Sequence, residues 1–169
     1  MTMGGAEPPG ALPADSKLPR VVVASLGNEY RRDDGAGQVV AAGAVDRVTG
    51  VRDVGPQVDP LALLGRWDGS DLAIVIDATR GAGAPGEVRV VDLATTNEHP
   101  GATSTHGISL SGALRLARAV GRAPTRVVVV GIEGGDFGKG KGLSPAVAAA
   151  VPAAIGKVVE LIEEAQRCA

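Results

Sequence analysis

Two aspartates stand side by side in the stretch "GNEYRRDDGAG", Gly27 to Gly37, directly after the apolar run Val21 to Leu26. A third, Asp77, closes an apolar run that begins at Leu72, and His106 is one of two histidines in the chain. Two carboxylates and an imidazole make a credible donor set for a divalent metal. Carboxylates suit hard cations, and imidazole suits Zn, Ni, Cu or Fe. Three protein donors leave positions open for water or a substrate group. Each residue also has a plainer use. Aspartate is favoured as a helix N-cap, which would account for Asp34. Asp77 could cap a turn, although a carboxylate that ends a buried strand needs a partner to offset lost hydration. His106 could be a surface or structural histidine. The other histidine, His99, lies in "NEHPG", which reads as exposed turn, so His106 is the preferred donor.

These groups meet only if the intervening elements bring them to one edge. Val21 to Leu26 reads as a strand buried on both faces. From Asp34 to about Val48, apolar residues Val40, Ala44 and Val48 recur every four positions, a helix face. Val51 to Val54 reads as a short second strand, and Asp59-Pro60 as an N-cap and first-turn pair. "LAIVIDA" is the clearest strand, and "EVRVVDL" reads as another. The link from Thr79 to Gly86 is too short for a parallel crossover. The third and fourth strands are therefore expected to form an antiparallel hairpin, with the fourth at an edge. A helix over Ile108 to Val120, a buried strand "TRVVVVGIE", a glycine-rich loop Gly134–Gly142 and a final helix from Ser144-Pro145 to about Gln166 follow. Pro152 is expected to kink or divide that last helix.

The sum is a three-layer α/β sandwich: about five strands in a mostly parallel twisted sheet, one antiparallel edge strand, helices on both faces. Ligands in such sheets bind beyond the carboxyl ends of the strands. Parallel strands place Gly27, Asn28, Asp33, Asp34 and Asp77 at that edge. The long segment Leu93–His106 must return the chain there, which leaves His106 beside Asp34 and Asp77.

Several functions are excluded or disfavoured. A dinucleotide fold wants G-x-G-x-x-G facing a phosphate; here Val40 stands where the third glycine should be, and Asp33 and Asp34 would repel a pyrophosphate. No G-x-S-x-G elbow marks a serine hydrolase. A net charge of −2 and only 2% aromatic residues give no nucleic-acid footprint. No run reaches about 18 consecutive apolar residues, so no membrane span is expected. One cysteine, Cys168, rules out an internal disulfide and fits a reducing, cytoplasmic compartment. Residues 1–17, rich in Pro, Gly and Ala, read as a disordered tail, and residues 18–169 as one domain.

"SLGNEYRRDDGAG" resembles the G-N-x-x-x-x-D-[DE]-G-x-G signature of the [NiFe]-hydrogenase maturation proteases. The resemblance continues, in order and spacing, through "IVIDA", "STHGISL" and "VVVVGIEGGDFGKGKGLSPAV". It implies an endopeptidase that removes the C-terminal extension of a nickel-loaded hydrogenase large-subunit precursor. It also implies that Asp34, Asp77 and His106 engage the metal, most naturally nickel carried by the substrate, with no nucleotide. Asp33 is left as a candidate for proton transfer or helix capping. Gly27, Asn28, Gly35 and Asp53 would position the substrate. One departure stands out: where the family commonly has D-G-G-T, this chain has Asp53-Val54-Gly55-Pro56-Gln57, and Pro56 removes a backbone donor. Two other readings stay open: a nonproteolytic nickel-sensing maturation chaperone, and a Rossmann-like nucleotide-binding protein.

Overall fold

The computed structural model describes residues 18–94 and 109–169, so the tail expected over residues 1–17 and both histidines lie outside the described residues. The chain lays down β1 (Val21–Leu26), a 3-10 turn (Arg32–Gly35), α1 (Ala36–Val45), β2 (Val51–Gln57) and a second 3-10 turn (Pro60–Leu63). It continues with β3 (Leu72–Thr79), β4 (Val88–Asp92), α2 (Leu110–Ala119), β5 (Arg126–Glu133) and α3 (Pro145–Arg167). The strands form a five-stranded sheet in the order β2-β1-β3-β5-β4, parallel throughout except for β4.

Burial explains that order. β1 is buried at every position and β5 from Val127 onward, so each needs a neighbour on both sides. β4 has no fully buried residue and suits the rim. Strand alternation sends Val23, Ile74, Ile76 and Val130 to one face, where they pack against Val40 and Ala44 of α1 and Val158 and Ile162 of α3. Ala24, Val75 and Val129 go to the other face, with Leu114 of α2, Leu63 and Trp67. Fully burying one such aliphatic side chain contributes about 1.5–3 kcal/mol, so these two layers carry most of the stability. α3 is long and apolar enough to cross a membrane by length and composition. Here it lies on the sheet and buries Val147, Ala154, Ile155, Val158 and Ile162.

Four expectations from the sequence need correction. β4 does run antiparallel at an edge, but it pairs with β5 rather than with β3, Val90 opposite Val130. The link over residues 80–87 steps across two strand spacings of about 4.8 Å and leaves the slot for the more buried β5. The first helix does not begin at Asp34: a 3-10 turn intervenes and α1 starts at Ala36. Pro152 does not divide α3, which runs unbroken from Pro145 to Arg167. Pro152 is exposed, so its ring faces solvent and the helix loses only one internal bond. β2 also extends three residues beyond its expected end, to Gln57.

Candidate functional site

The sheet's carboxyl edge collects the ends of β1 and β3, side by side in register with Ser25 opposite Ile76. After β1 the chain must reverse sharply into α1. Gly27 has φ of +117°, and a Cβ there would come 2.1 Å from the backbone oxygen of Asp34. Only glycine fits that position. Gly27 also donates its amide to Gln57 O of β2 at 3.0 Å. Gly37 brings the first turn of α1 down onto the strand ends: a Cβ there would sit 2.6 Å from Ile76 O and 3.1 Å from Leu26 O. Ile76 is the residue before Asp77, so Gly37 couples the acidic turn to Asp77. Gly35 lies tightly against Glu29, where an added Cβ would meet Cα at 2.9 Å.

Asp34 is not the N-cap of α1; Gly35 is, without a side-chain bond. Asp34 Oδ2 instead accepts the Asn28 amide at 2.9 Å, and Asn28 Oδ1 accepts the Tyr30 amide at 2.9 Å. These bonds fold the turn back on itself and leave Asp34 partly exposed. Asp77 pairs with Gly131 along β3 and is also partly exposed. Its neighbours Ile76 and Ala78 face the α1–α3 layer, so Asp77 faces the opposite side, that of α2. The structure thus brings Asp34 and Asp77 to one edge, Asp34 in the turn that follows β1 and Asp77 near the end of the adjacent β3. Among the described residues, no three His, Cys, Asp or Glu side chains gather as a metal-holding group. His106, the third expected donor, lies outside them, as does His99.

Asp33 has a different task. It is fully buried. Its Oδ2 accepts the amides of Gly135 and Asp136 and the hydroxyl of Ser144, each at 2.8 Å, and its Oδ1 accepts the Ser144 amide at 2.7 Å. Burial raises its pKa, but the bonds from Ser144, Asp136 and Gly135 outweigh that and hold it below the usual carboxylate range. Ser144 begins α3, yet its hydroxyl turns to Asp33 instead of capping that helix. Backbone bonds continue the seam: Asp33 N to Asp136 O, Arg32 N to Gly140 O, and Gly140 N to Tyr30 O, all 2.9 Å. Arg32 adopts φ of +53°, uncommon for a side chain of its size, and its amide bond to Gly140 holds it there. Lys141 adds an ion pair to Glu29 at 3.3 Å. The acidic turn and the 134–144 loop are one joined unit.

Asp53 is exposed and its Oδ1 accepts the Gly55 amide at 2.8 Å. Between Val23 and Ser25 the β1–β2 register slips by one residue, so the Asp53–Pro56 stretch is a bulge. Edge position and bulge together accommodate Pro56 without breaking the sheet.

Glu133 escaped the sequence reading. It is buried at the end of β5. Its Oε2 accepts the Thr79 hydroxyl at 2.7 Å, and its Oε1 accepts the amides of Gly81 and Ala82. The signal was available: a carboxylate closing a strand with no other polar side chain after Arg126, the same argument that singled out Asp77.

The family model for hydrogenase maturation proteases (HycI) matches residues 53–161, which is most of the chain but leaves out the acidic turn. Solved structures extend the likeness over a larger share of the chain. The hydrogenase maturating endopeptidase HybD from E. coli superposes with a TM-score of 0.71 at 24% identity, over 86% of this chain and 93% of that one. The [NiFe] hydrogenase maturation protease HybD from Thermococcus kodakarensis does so with a TM-score of 0.63 at 26% identity, over 85% and 99%. The protease HycI from the same organism gives 0.68 at 24%, over 88% and 95%. At 24% identity the likeness speaks for the fold. No curated protein matches significantly.

Proposed function

This chain belongs to the hydrogenase maturation protease family, and on that premise we propose that it removes the C-terminal extension from a nickel-loaded [NiFe]-hydrogenase large-subunit precursor. The observation that supports this reading is the position of Asp34 and Asp77 at the same carboxyl edge, where Gly37 packs the start of α1 onto the backbone of Ile76, next to Asp77. Their two carboxylates, with the imidazole of His106, are a donor set that suits nickel held by the precursor. A metal so placed polarises a carbonyl or activates water, or docks the substrate next to the bond to be cut. The protein's own share is positioning. Asn28 orients Asp34, Gly27 and Gly35 allow the close approach, and Asp53 shapes the rim beside them.

Asp33 fits a clamp better than a proton carrier in this scheme. Both its oxygens accept bonds in the folded protein, so protonation would break the seam that holds the site. The reaction belongs in the cytoplasm on this reading, where the exposed Cys168 would stay reduced.

Incubation of the purified protein with nickel-loaded and nickel-free precursor tests the proposal by gel mobility. The expected result is shortening of the loaded precursor alone. A precursor that is bound but never shortened would favour the chaperone reading.

A further inference from the structure

Arg80 follows β3 directly, three residues beyond Asp77. It is exposed, and its guanidinium carbon stands 4.2 Å from the centroid of the Phe137 ring. Some surface cations pair with carboxylates, as Arg32 with Asp136, Arg89 with Glu87 and Lys141 with Glu29, and others, such as exposed Arg31, Arg47 and Lys139, do not among the described residues. Among the described residues, no carboxylate pairs with Arg80. Yet its surroundings are tightly built. Glu133 takes the Thr79 hydroxyl on one side of Arg80 and the Gly81 and Ala82 amides on the other. Phe137 rests on bare Gly134, where a Cβ would lie 2.4 Å from the ring. Gly134 donates its amide to Thr79 O at 2.9 Å. The loop carrying Phe137 is fixed in turn by Asp33 through Gly135 and Asp136.

A turn pinned by buried Glu133 and a glycine-seated aromatic thus hold one exposed cation with which no carboxylate pairs among the described residues. Stacking on an aromatic face leaves the in-plane N–H groups of a guanidinium free for bidentate recognition of a carboxylate. We propose that Arg80 is a specificity-determining residue that binds a carboxylate of the precursor's C-terminal extension, either an acidic side chain or the terminal carboxylate. The inference rests on the peptidase reading above. Three extended residues span about 10 Å, so the carboxylate would lie a few residues from the bond that meets Asp77.

The test compares wild type, Arg80→Ala and Arg80→Lys on nickel-loaded precursor, with KM and kcat measured separately and circular dichroism confirming the fold. Three precursors serve as probes: the native one, one with every Asp and Glu of the extension changed to Asn or Gln, and one ligated to end in an amide. Arg80→Ala should raise KM about tenfold or more with kcat unchanged, as expected for loss of a hydrogen bond to a charged group. Arg80→Lys should recover part of the loss. One of the two altered precursors should show the same raised KM with wild type and no further change with Arg80→Ala, which identifies the source of the carboxylate. An unchanged KM for Arg80→Ala, or a rise that ignores both altered precursors, would overturn the inference while leaving the peptidase reading intact. Wild type that binds the precursor without cutting it, with Arg80→Ala binding more weakly, would overturn the peptidase reading and support Arg80. Wild type that neither binds nor cuts would overturn both.

Discussion

Asp33 Oδ1 accepts the backbone amide of Ser144 at 2.7 Å, across 111 residues of sequence. That bond and its three companions join the turn after β1 to the loop before α3. The site's two sides therefore stand or fall together, and the consequences can be measured.

Removing the Asp33 carboxylate removes four part-buried hydrogen bonds to a charged acceptor at once, each contributing about 1.5–3 kcal/mol at most. Asp33→Ala should therefore lower stability by roughly 3 kcal/mol or more at neutral pH, read from urea denaturation. The pH dependence has a definite sign. The folded-state pKa of Asp33 lies below its ordinary value of about 3.9. Its stabilisation is full above that value and is lost as pH falls through the lower folded-state pKa. Asp33→Asn should be less stable at neutral pH and show a flatter loss of stability below about pH 4. Parallel acid-denaturation profiles for the two proteins would contradict this.

Glu133 separates geometry from charge. Gln can keep the carbonyl oxygen that receives the Gly81 and Ala82 amides, and its NH₂ can donate to a rotated Thr79 hydroxyl. Glu133→Gln should cost under about 1.5 kcal/mol, whereas Glu133→Ala, which leaves two amides unpaired, should cost about 2–4 kcal/mol. Trp67, the single tryptophan, is fully buried in the α2 layer, so its fluorescence follows the unfolding. Equal midpoints for the two variants would refute the assignment of Glu133 as an acceptor for the turn.

Gly37 offers a probe of the link between the strands. Ala at this position pushes a Cβ toward two backbone oxygens, Ile76 O and Leu26 O, neither of which can rotate away. Overpacking of this kind costs about 1–3 kcal/mol. Gly37→Ala should lose that much stability and slow precursor processing together, because α1 and the acidic turn shift away from Asp77. Gly65→Ala, where a Cβ meets nothing, is the control expected to change neither.

What the sequence disclosed follows from the physics of each element. Val21–Ala24, Leu72–Ile76 and Val127–Val130 are apolar without interruption, and such runs have few fates other than buried parallel strands. The placing of Asp34 and Asp77 at one edge of the sheet followed from that parallelism. The partner of β4 did not, because chain direction alone leaves open which strand fills the neighbouring slot. Asp33 stayed between proton transfer and helix capping because its partners, Gly135, Asp136 and Ser144, are mostly backbone amides more than 100 residues away. Backbone donors have no residue signature, so no spacing rule could expose them. Glu133 was legible in principle and was passed over amid the glycines that follow it.

The most direct measurement is processing of nickel-loaded precursor by Asp34→Ala, Asp77→Ala and His106→Ala, each confirmed as folded, with His99→Ala alongside. The account predicts that the first three leave the precursor at full length while His99→Ala shortens it as wild type does. Complete processing by all three would contradict the assignment of the metal-engaging site, and failure of His99→Ala alone would show that the wrong histidine was chosen.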